Sequence, residues 1–351
     1  PGGADLRFVD PDGDVVLAHE VERWRDTLSG WVWVKVPRID AQSTSDHIWM
    51  YYDNPAAADA QDTAAVWTEG YRAVLHLDAD ADSSIPLPGS DRNSSMSRSS
   101  QEGFIARGLG LNGAGDRVLL SASDAVLGTL DDMTISAWVR RDELDNGWRG
   151  LVSARHVDEN DYSSGNFAFH CNGDGFGLEN NAPFNSSWMA EVATPRQWHL
   201  LSMVVDTAAD VGLLYLDGRE VERWEGATNT PTWSDQDEVR IGARWFHGNE
   251  TAYLEGSMDE VRVAHVARSP AWLRAQYLAQ SDAFLRYGEE EWLRPAFSHR
   301  VKLSFVSDTQ QENLVDFPVL VTLDSGVVDY GLIQADGDDL RFLDADGSIL
   351  A

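Results

Sequence analysis

The sequence contains a single cysteine, few cations and no apolar run longer than a strand. Cys171 alone cannot form a disulfide within the chain, so the cysteine count does not identify the redox compartment. Lys and Arg number 27 against 58 Asp and Glu, which gives a formal net charge of −31. A surface of this sign repels nucleic acid and anionic membranes. The apolar runs are too short for a membrane span, so we expect neither nucleic-acid binding nor membrane insertion.

An internal repeat links the two ends of the sequence. Residues 339–351 read DLRFLDADGSILA and residues 5–17 read DLRFVDPDGDVVL, with seven of thirteen positions identical. Repeats of long period are typical of tandem arrays. The repeat therefore predicts that the chain is about one period of a longer array, with one domain type divided between its two ends.

Between these ends the pattern is typical of strands. Trp31–Val36 and His47–Tyr52 are rich in aromatic and β-branched residues, and Pro37 is expected to end the first run. Many short strands between turn signals, with little helix, predict an all-β sandwich. One helix is expected at 270–280, where Ser269 can cap it and Pro270 fits its first turn.

The stretch 107–279 resembles the laminin-G-like domains of the concanavalin A-type jelly-roll superfamily. The resemblance depends on short motifs in the family's order: Gly110–Gly113, Thr134–Val139, Trp198–Leu201, Leu214–Gly218, Gly256–Val263 and Ala267–Trp272, with Val74–Asp78 as the first strand. It implies a concanavalin A-like jelly roll over residues 67–281.

The flanking segments resemble a bacterial domain of unknown function that occurs in large envelope proteins. The family's beginning and end match, in that order, Ser298–Leu303, Phe317–Leu320 and Asp339–Phe342, then Asp5–Phe8, Glu20–Trp24, Trp31–Pro37 and Ile48–Pro55. The chain departs from the family at Asp53, where glycine is usual. The resemblance implies a second β-sandwich whose C-terminal half is residues 1–66. Residues 282–297 would be a linker, and 298–351 the first half of the next copy.

A half sandwich exposes sheet edges and an apolar face, so something must complete it. We expect neighbouring copies of the chain to pair head to tail by strand donation, through Asp5, Phe8, Phe317, Asp339 and Phe342. A head-to-tail contact that does not close produces a filament. The alternative is that the sequence is simply cut inside this domain at both ends, so that the missing strands are absent.

The jelly-roll resemblance also implies a structural Ca²⁺ site. The matching positions are Asp259 in the last strand, His76 to Asp78 in the first, and the Gly113 carbonyl. Carboxylates and carbonyls are the ligands that Ca²⁺ prefers. The alternative is that Asp259 binds backbone amides and holds the sandwich closed. The acidic turn at Asp10–Asp14 fits a tight turn better than a calcium loop.

Tryptophans indicate a possible carbohydrate ligand. The chain has 14, and four lie in loop-like contexts: Trp148, Trp188, Trp233 and Trp245. Exposed indoles stack on sugar rings, although each one alone is more often a packing residue.

Enzymatic residues are harder to find. No strand has the spacing of paired carboxylates that glycosidases need, and Glu20 with Glu22 fits the ordinary pattern of the split domain. The loop around His156–Asp161 and the buried-looking Cys171 suggest no catalytic set. We therefore predict a non-enzymatic structural or adhesive repeat module, extracellular or on the bacterial surface. The alternatives are a calcium-dependent carbohydrate-binding module and, third, an unrecognised glycosidase.

Overall fold

The computed structural model describes residues 6–25, 29–54, 57–78, 84, 99–120, 132–145, 147–155, 167–180, 194–225, 238–246, 249–292 and 298–328. They belong to two compact units, one of residues 1–69 with 274–351 and the other of residues 70–273. No described helix is long and apolar enough to cross a membrane.

Strands dominate both units, as predicted. The N-terminal segment contains β1 Arg7–Val9, β2 Val16–Leu17, β3 His19–Arg25, β4 Ser29–Ile39, β5 His47–Tyr52 and helix α1 Thr63–Val66. The central segment contains β6 Tyr71–Leu75, β7 Ser99–Glu102, β8 Arg107–Asn112, β9 Val118–Leu120, β10 Met133–Arg141, β11 Arg149–Arg155, β12 Phe167–Asn172, β13 Gly175–Asn180, β14 Trp198–Asp206, β15 Val211–Leu216, β16 Arg219–Glu225, β17 Glu238–Ile241, β18 Arg244–Phe246, β19 Asn249–Thr251 and β20 Glu255–Ala264. The C-terminal segment contains helix α2 Pro270–Gln280, β21 Leu285–Trp292, β22 His299–Phe305 and β23 Leu314–Asp324.

Both ends of the chain build one sandwich. One sheet has the order β2-β1-β5-β22-β21 and the other the order β23-β4-β3. Strand β22 pairs with β5 from His299↔Tyr52 to Ser304↔His47. Strand β23 pairs with β4 from Leu314↔Ile39 to Asp324↔Ser29. Each sheet therefore joins strands from the two ends of the same chain.

This closure corrects the expectation that a neighbouring copy must complete each half. Phe8 is fully buried and lies opposite Met50 of β5, while Phe317 is 1% exposed and lies opposite Val36 of β4. Their slots are filled from within one chain, because β22 and β23 supply the strands that the N-terminal half lacks. The other proposed assembly residues, Asp5, Asp339 and Phe342, lie outside the described residues.

Two local expectations are wrong. Pro37 does not end its strand, since β4 continues to Ile39. The missing N–H of Pro37 is tolerated because the ladder omits the pair with Asp316, whose backbone is left-handed with a φ of 49°. The linker assigned to 282–297 contains the edge strand β21, in which Leu285 is buried and the Tyr287 hydroxyl bonds the Thr322 backbone.

The central unit is a two-sheet jelly roll. Its larger sheet has the order β16-β15-β14-β10-β20-β8-β7, with β6 also on β20, and its smaller sheet has the order β13-β12-β11-β17-β9. Alternate side chains of both sheets form one apolar core, which includes Ile135, Met203 and Phe169. Helix α2 spans 270–280 as predicted, and the Ser269 hydroxyl accepts a hydrogen bond from the Trp272 N–H at 3.1 Å.

Closure within one chain predicts a specific cross-link. His47 and Ser304 are Cα partners across β5 and β22, which is a separation that suits a disulfide. The double variant His47→Cys/Ser304→Cys is expected to form an intramolecular disulfide, visible as faster-migrating monomer on a non-reducing gel.

Each single-cysteine variant is the control for that experiment. Its new cysteine has no accessible partner in the same chain, because Cys171 is buried. Covalent dimers or ladders in the double variant, with no fast monomer, would show that the halves pair between chains.

Candidate functional site

Asp259 lies in the middle of β20 and is completely buried. Its Oδ2 accepts a hydrogen bond from the Ile105 N–H at 2.8 Å, and its Oδ1 accepts one from the Glu260 N–H at 2.9 Å. A Cβ on Gly103 would come within 2.5 Å of Asp259 Oδ2, so the neighbouring backbone passes directly over the carboxylate. Asp259 thus ties the 103–105 segment to the central strand.

The next residue, Glu260, is buried as well. Strict alternation would send one of two consecutive side chains outward, but β20 has a register shift against β10 here and Glu260 takes a φ of 51°. Its carboxylate contacts His76 and Arg262. Burial alone would raise the pKa of Glu260, but the two neighbouring bases outweigh it and hold the pKa below its usual value. Sequence reasoning missed this cluster.

The structure separates two of the predicted Ca²⁺ ligands, Gly113 and Asp259. The Gly113 N–H donates to Leu254 O, at the start of β20 and about 16 Å along the strand from Asp259. Among the described residues, Asp259 and Asp78 belong to no group of three acidic or histidine side chains within reach of one ion. Ca²⁺ needs six to eight oxygens, and both Asp259 oxygens already accept backbone N–H groups. Both Asp259 oxygens therefore have backbone partners, and a Ca²⁺ site here stays a prediction.

Of the four predicted ligand tryptophans, Trp148 is the one whose side chain the structure describes, and it lies open to solvent. It precedes β11 at the end of the jelly roll, and its residue is 38% exposed. The indole meets the His170 ring edge-on with centroids 4.8 Å apart, and the Arg244 guanidinium lies 5.1 Å from the indole centroid. His170 is fully buried and Arg244 nearly so, at 0% and 5% exposure. The exposed ring therefore rests on a fixed base.

His170, against which the Trp148 indole packs, stays uncharged. Burial, with the Arg244 charge second, lowers the pKa of His170 to about 3. A neutral imidazole can pack against the indole with little desolvation penalty, whereas an imidazolium could not.

The loop that carries Trp148 is anchored by two arginines. Asp145 accepts hydrogen bonds from Arg141, at 3.3 Å, and from Arg149. Arg141 also donates to the Gly173 carbonyl, and the Gly173 N–H donates to Asp145 O at 2.9 Å. The loop before β11 and the turn between β12 and β13 are thus joined into one rim.

A cleft opens at the same end of the jelly roll. Its walls include Val139 and Leu201, Cys171 and Phe176 of the opposite sheet, and His199. The His199 Nδ1 lies 2.9 Å from Asp217 Oδ2, which fixes the orientation of the ring. Burial raises the pKa of the Cys171 thiol to about 11, so the cleft holds a neutral thiol rather than a nucleophilic thiolate.

The remaining candidates are placed as follows. Trp245 lies in β18 opposite Glu250 of β19. Trp188, Trp233 and the His156–Asp161 loop lie outside the described residues.

The acidic turn predicted in the split sandwich is confirmed. Asp10 Oδ1 accepts hydrogen bonds from the Asp14 and Val15 N–H groups. Gly13 supplies the left-handed residue with a φ of 86°.

The paired strand carboxylates have structural partners. The Trp67 indole N–H donates to Glu20, and the Trp33 indole N–H donates to Glu22 at 2.8 Å. Both acids therefore receive indole hydrogen bonds within the split sandwich.

Removing the Asp259 carboxylate tests whether it holds the 103–105 segment on β20. Asp259→Ala leaves two backbone N–H groups without their acceptor and should lower the free energy of unfolding by about 3 kcal/mol, measured by denaturant titration. Asp142→Ala, which removes a half-exposed acid, is the control and should change it by less than about 1 kcal/mol. A metal role would instead make wild-type stability depend on EDTA, and we expect no such dependence.

The buried His170 predicts acid sensitivity. The unfolded imidazole takes up a proton near pH 6.5 while the folded one stays neutral down to about pH 3, so stability is lost as pH falls below 6.5. Between pH 7 and pH 5 the loss should be about 2 kcal/mol. His170→Phe should remove that increment from the pH dependence measured by chemical denaturation. An unchanged slope would contradict a neutral buried imidazole.

Comparisons with known proteins agree with the fold. Residues 112–274 match the family model described as the concanavalin A-like lectin/glucanases superfamily, and residues 2–84 match a domain of unknown function, DUF2341. No curated protein matches the sequence significantly. The jelly roll and the family of the N-terminal segment are confirmed, and a second partial copy at 298–351 stays a prediction.

The chain also has distant likenesses among solved structures, at low identity and with TM-scores below 0.5. The chain is similar to domain 4 of AbnA, an extracellular arabinanase from Geobacillus stearothermophilus solved with arabinotriose, at 16% identity and a TM-score of 0.39, covering 57% of this chain and 85% of that one. It is also similar to the botulinum neurotoxin serotype G binding domain, at 13% identity, a TM-score of 0.48 and coverage of 63% and 53%. The chain thus spans about half of the toxin domain's length. At these identities and TM-scores the likenesses carry no conclusion about this chain.

Proposed function

We propose that the chain is a carbohydrate-binding module whose jelly-roll rim holds a sugar against Trp148. The observation that carries the proposal is an exposed indole on a rigid base. Trp33, Trp138 and Trp272 are at most 7% exposed, whereas Trp148 is 38% exposed and, in the other unit, Trp292 is 72% exposed. An indole that is ordered before binding stacks on a sugar ring without a large entropy loss.

Polar groups for sugar hydroxyls lie on the same loop. Asp145 and Asp142 have side chains 45% and 46% exposed, so their oxygens are reachable from solvent. Arg141 is almost fully buried, and its ion pair with Asp145 orients that carboxylate. Sugar sites combine one stacking surface with a few oriented polar groups, and this rim offers both.

The proposed binding does not use calcium: the Trp148 indole supplies stacking and Asp142 and Asp145 supply hydrogen-bond acceptors, which need no ion. It is also not catalytic. Retaining and inverting glycosidases need two carboxylates across a scissile bond, and Asp145 is instead neutralised by Arg141 and Arg149. The superfamily description names lectins and glucanases alike, so it supports a carbohydrate as the ligand. We place the module outside the cell or on the bacterial surface, where glycans are available.

Glycan-array binding, followed by calorimetry on the best neutral oligosaccharide, tests the proposal. Trp148→Ala should weaken binding at least about tenfold, since stacking residues act as binding hot spots. EDTA should leave the affinity unchanged.

The control is Val16→Ala, which shortens an exposed apolar side chain of the other unit and should bind like wild type. Full affinity in Trp148→Ala, or hydrolysis of the bound oligosaccharide, would overturn the proposal.

A second candidate, a structural repeat in a larger array, has one observation in its favour. The sequence of residues 339–351 repeats that of residues 5–17, which contain the β1–β2 hairpin. The split sandwich has one place for such a hairpin, at the sheet edge beside β5. Association through this route would require the closed sandwich to open, so the His47/Ser304 cross-link also tests it: disulfide-linked oligomers favour exchange between copies.

A further inference from the structure

We propose a second sugar-binding site, at the end of the split sandwich around Trp292. Trp292 is 72% exposed, more than any other large apolar residue that the structure describes. It ends the edge strand β21 and lies directly opposite His299 of β22. The site takes a neutral sugar, and it is independent of the jelly-roll rim because its residues belong to the other unit.

Three rings form a row across three strands. Trp292 meets His299 with centroids 4.1 Å apart, and His299 stacks on Tyr52 at 5.3 Å and 20°. His299 and Tyr52 are both fully buried. Trp292 therefore packs at a steep angle against a buried imidazole, as Trp148 packs against His170, while most of its surface stays open.

Two reachable carboxylates flank the buried imidazole. Asp53 Oδ2 lies 3.2 Å from His299 Nδ1, and Glu290 Oε1 lies 3.5 Å from His299 Nε2. The Tyr52 hydroxyl donates to Glu290, which orients that carboxylate. The two acids keep side-chain exposures of 21% and 28%. Each carboxylate oxygen can accept more than one hydrogen bond, so both acids can also accept from sugar hydroxyls beside the indole.

The position of Asp53 is unfavourable for its backbone. It has a φ of 69°, in the left-handed region that residues other than glycine adopt infrequently. Such a conformation directly after β5 places a carboxylate beside His299 where a glycine would place none.

Strand addition is a poor use of this edge. Glu289, Glu290 and Glu291 follow one another on β21, and the register shifts between Tyr287 and Glu290. Consecutive charges and a bulge are the devices that prevent another strand from pairing. The exposed indole is therefore better suited to a small ring than to a peptide strand.

The surrounding charge selects among sugars. Four carboxylates, Asp53 and Glu289 to Glu291, lie on this edge or beside it, and Arg300 is paired with Glu291 at 2.6 Å. Uronic and sialic acids would be repelled, whereas uncharged pyranoses would donate hydroxyl hydrogen bonds. A quaternary ammonium would also suit an indole beside acids, so it forms one arm of the test.

The test uses the full chain in a Trp148→Ala background labelled with 5-fluorotryptophan. Cellohexaose, xylohexaose and mannohexaose are titrated by fluorine NMR and calorimetry, with hexagalacturonate and choline as the charged arms. At least one neutral hexamer should shift the Trp292 resonance, which is assigned by its loss in Trp292→Phe.

Trp292→Ala should weaken that binding at least about tenfold. Glu290→Gln, which keeps an acceptor for the Tyr52 hydroxyl, should weaken it roughly three- to tenfold. Val315→Ala, at another exposed apolar position of the same unit, should leave it unchanged.

A Trp292 resonance that no neutral hexamer moves, or that moves only with choline or hexagalacturonate, would overturn the proposal. Binding that depends on Trp148 alone would do the same and would leave the rim function intact.

Discussion

The pairing of β23 with β4 is the contact on which the split sandwich depends. It runs over ten residue pairs and brings Phe317 against Phe284, with centroids 5.9 Å apart. Phe284 also packs on Phe305 of β22, so this aromatic group joins the two sheets. Without β22 and β23, β5 would be an open edge and β4 would have a single partner. The jelly-roll sequence is thus an insertion between β5 and β21, two strands of one domain.

The two proposed sites share one construction, which is a buried histidine beneath an exposed tryptophan. His170 and His299 are both inaccessible to solvent, and each meets an indole at a steep angle, 81° and 63°. A ring packed edge-on loses conformational freedom during folding rather than during binding. The electrostatic surroundings differ, since Arg244 lies over Trp148 while Asp53 and Glu290 flank His299. The two proposed sites therefore combine the same indole–imidazole packing with different polar groups.

Much of this architecture could be predicted from sequence, because alternation and turn residues depend on local chemistry. The strands around Trp31 and His47, the helix at 270–280 and the Asp10–Asp14 turn all follow from such patterns. The β21 strand was missed because Glu289 to Glu291 resemble a linker, although an edge strand has reason to be charged. The partner of each half was missed because pairing between segments over 240 residues apart leaves no local signal. Trp292 was missed for the same reason, since its significance depends on His299 across the sheet.

Closure within one chain changes how the terminal repeat should be understood. Leu6 and Phe8 fill the β1 slot completely, and Asp10 with Gly13 closes its hairpin. The copy at 339–351 retains the equivalents of all four as Leu340, Phe342, Asp344 and Gly347. Because β1 already occupies the place beside β5, the repeated sequence does not by itself require a filament.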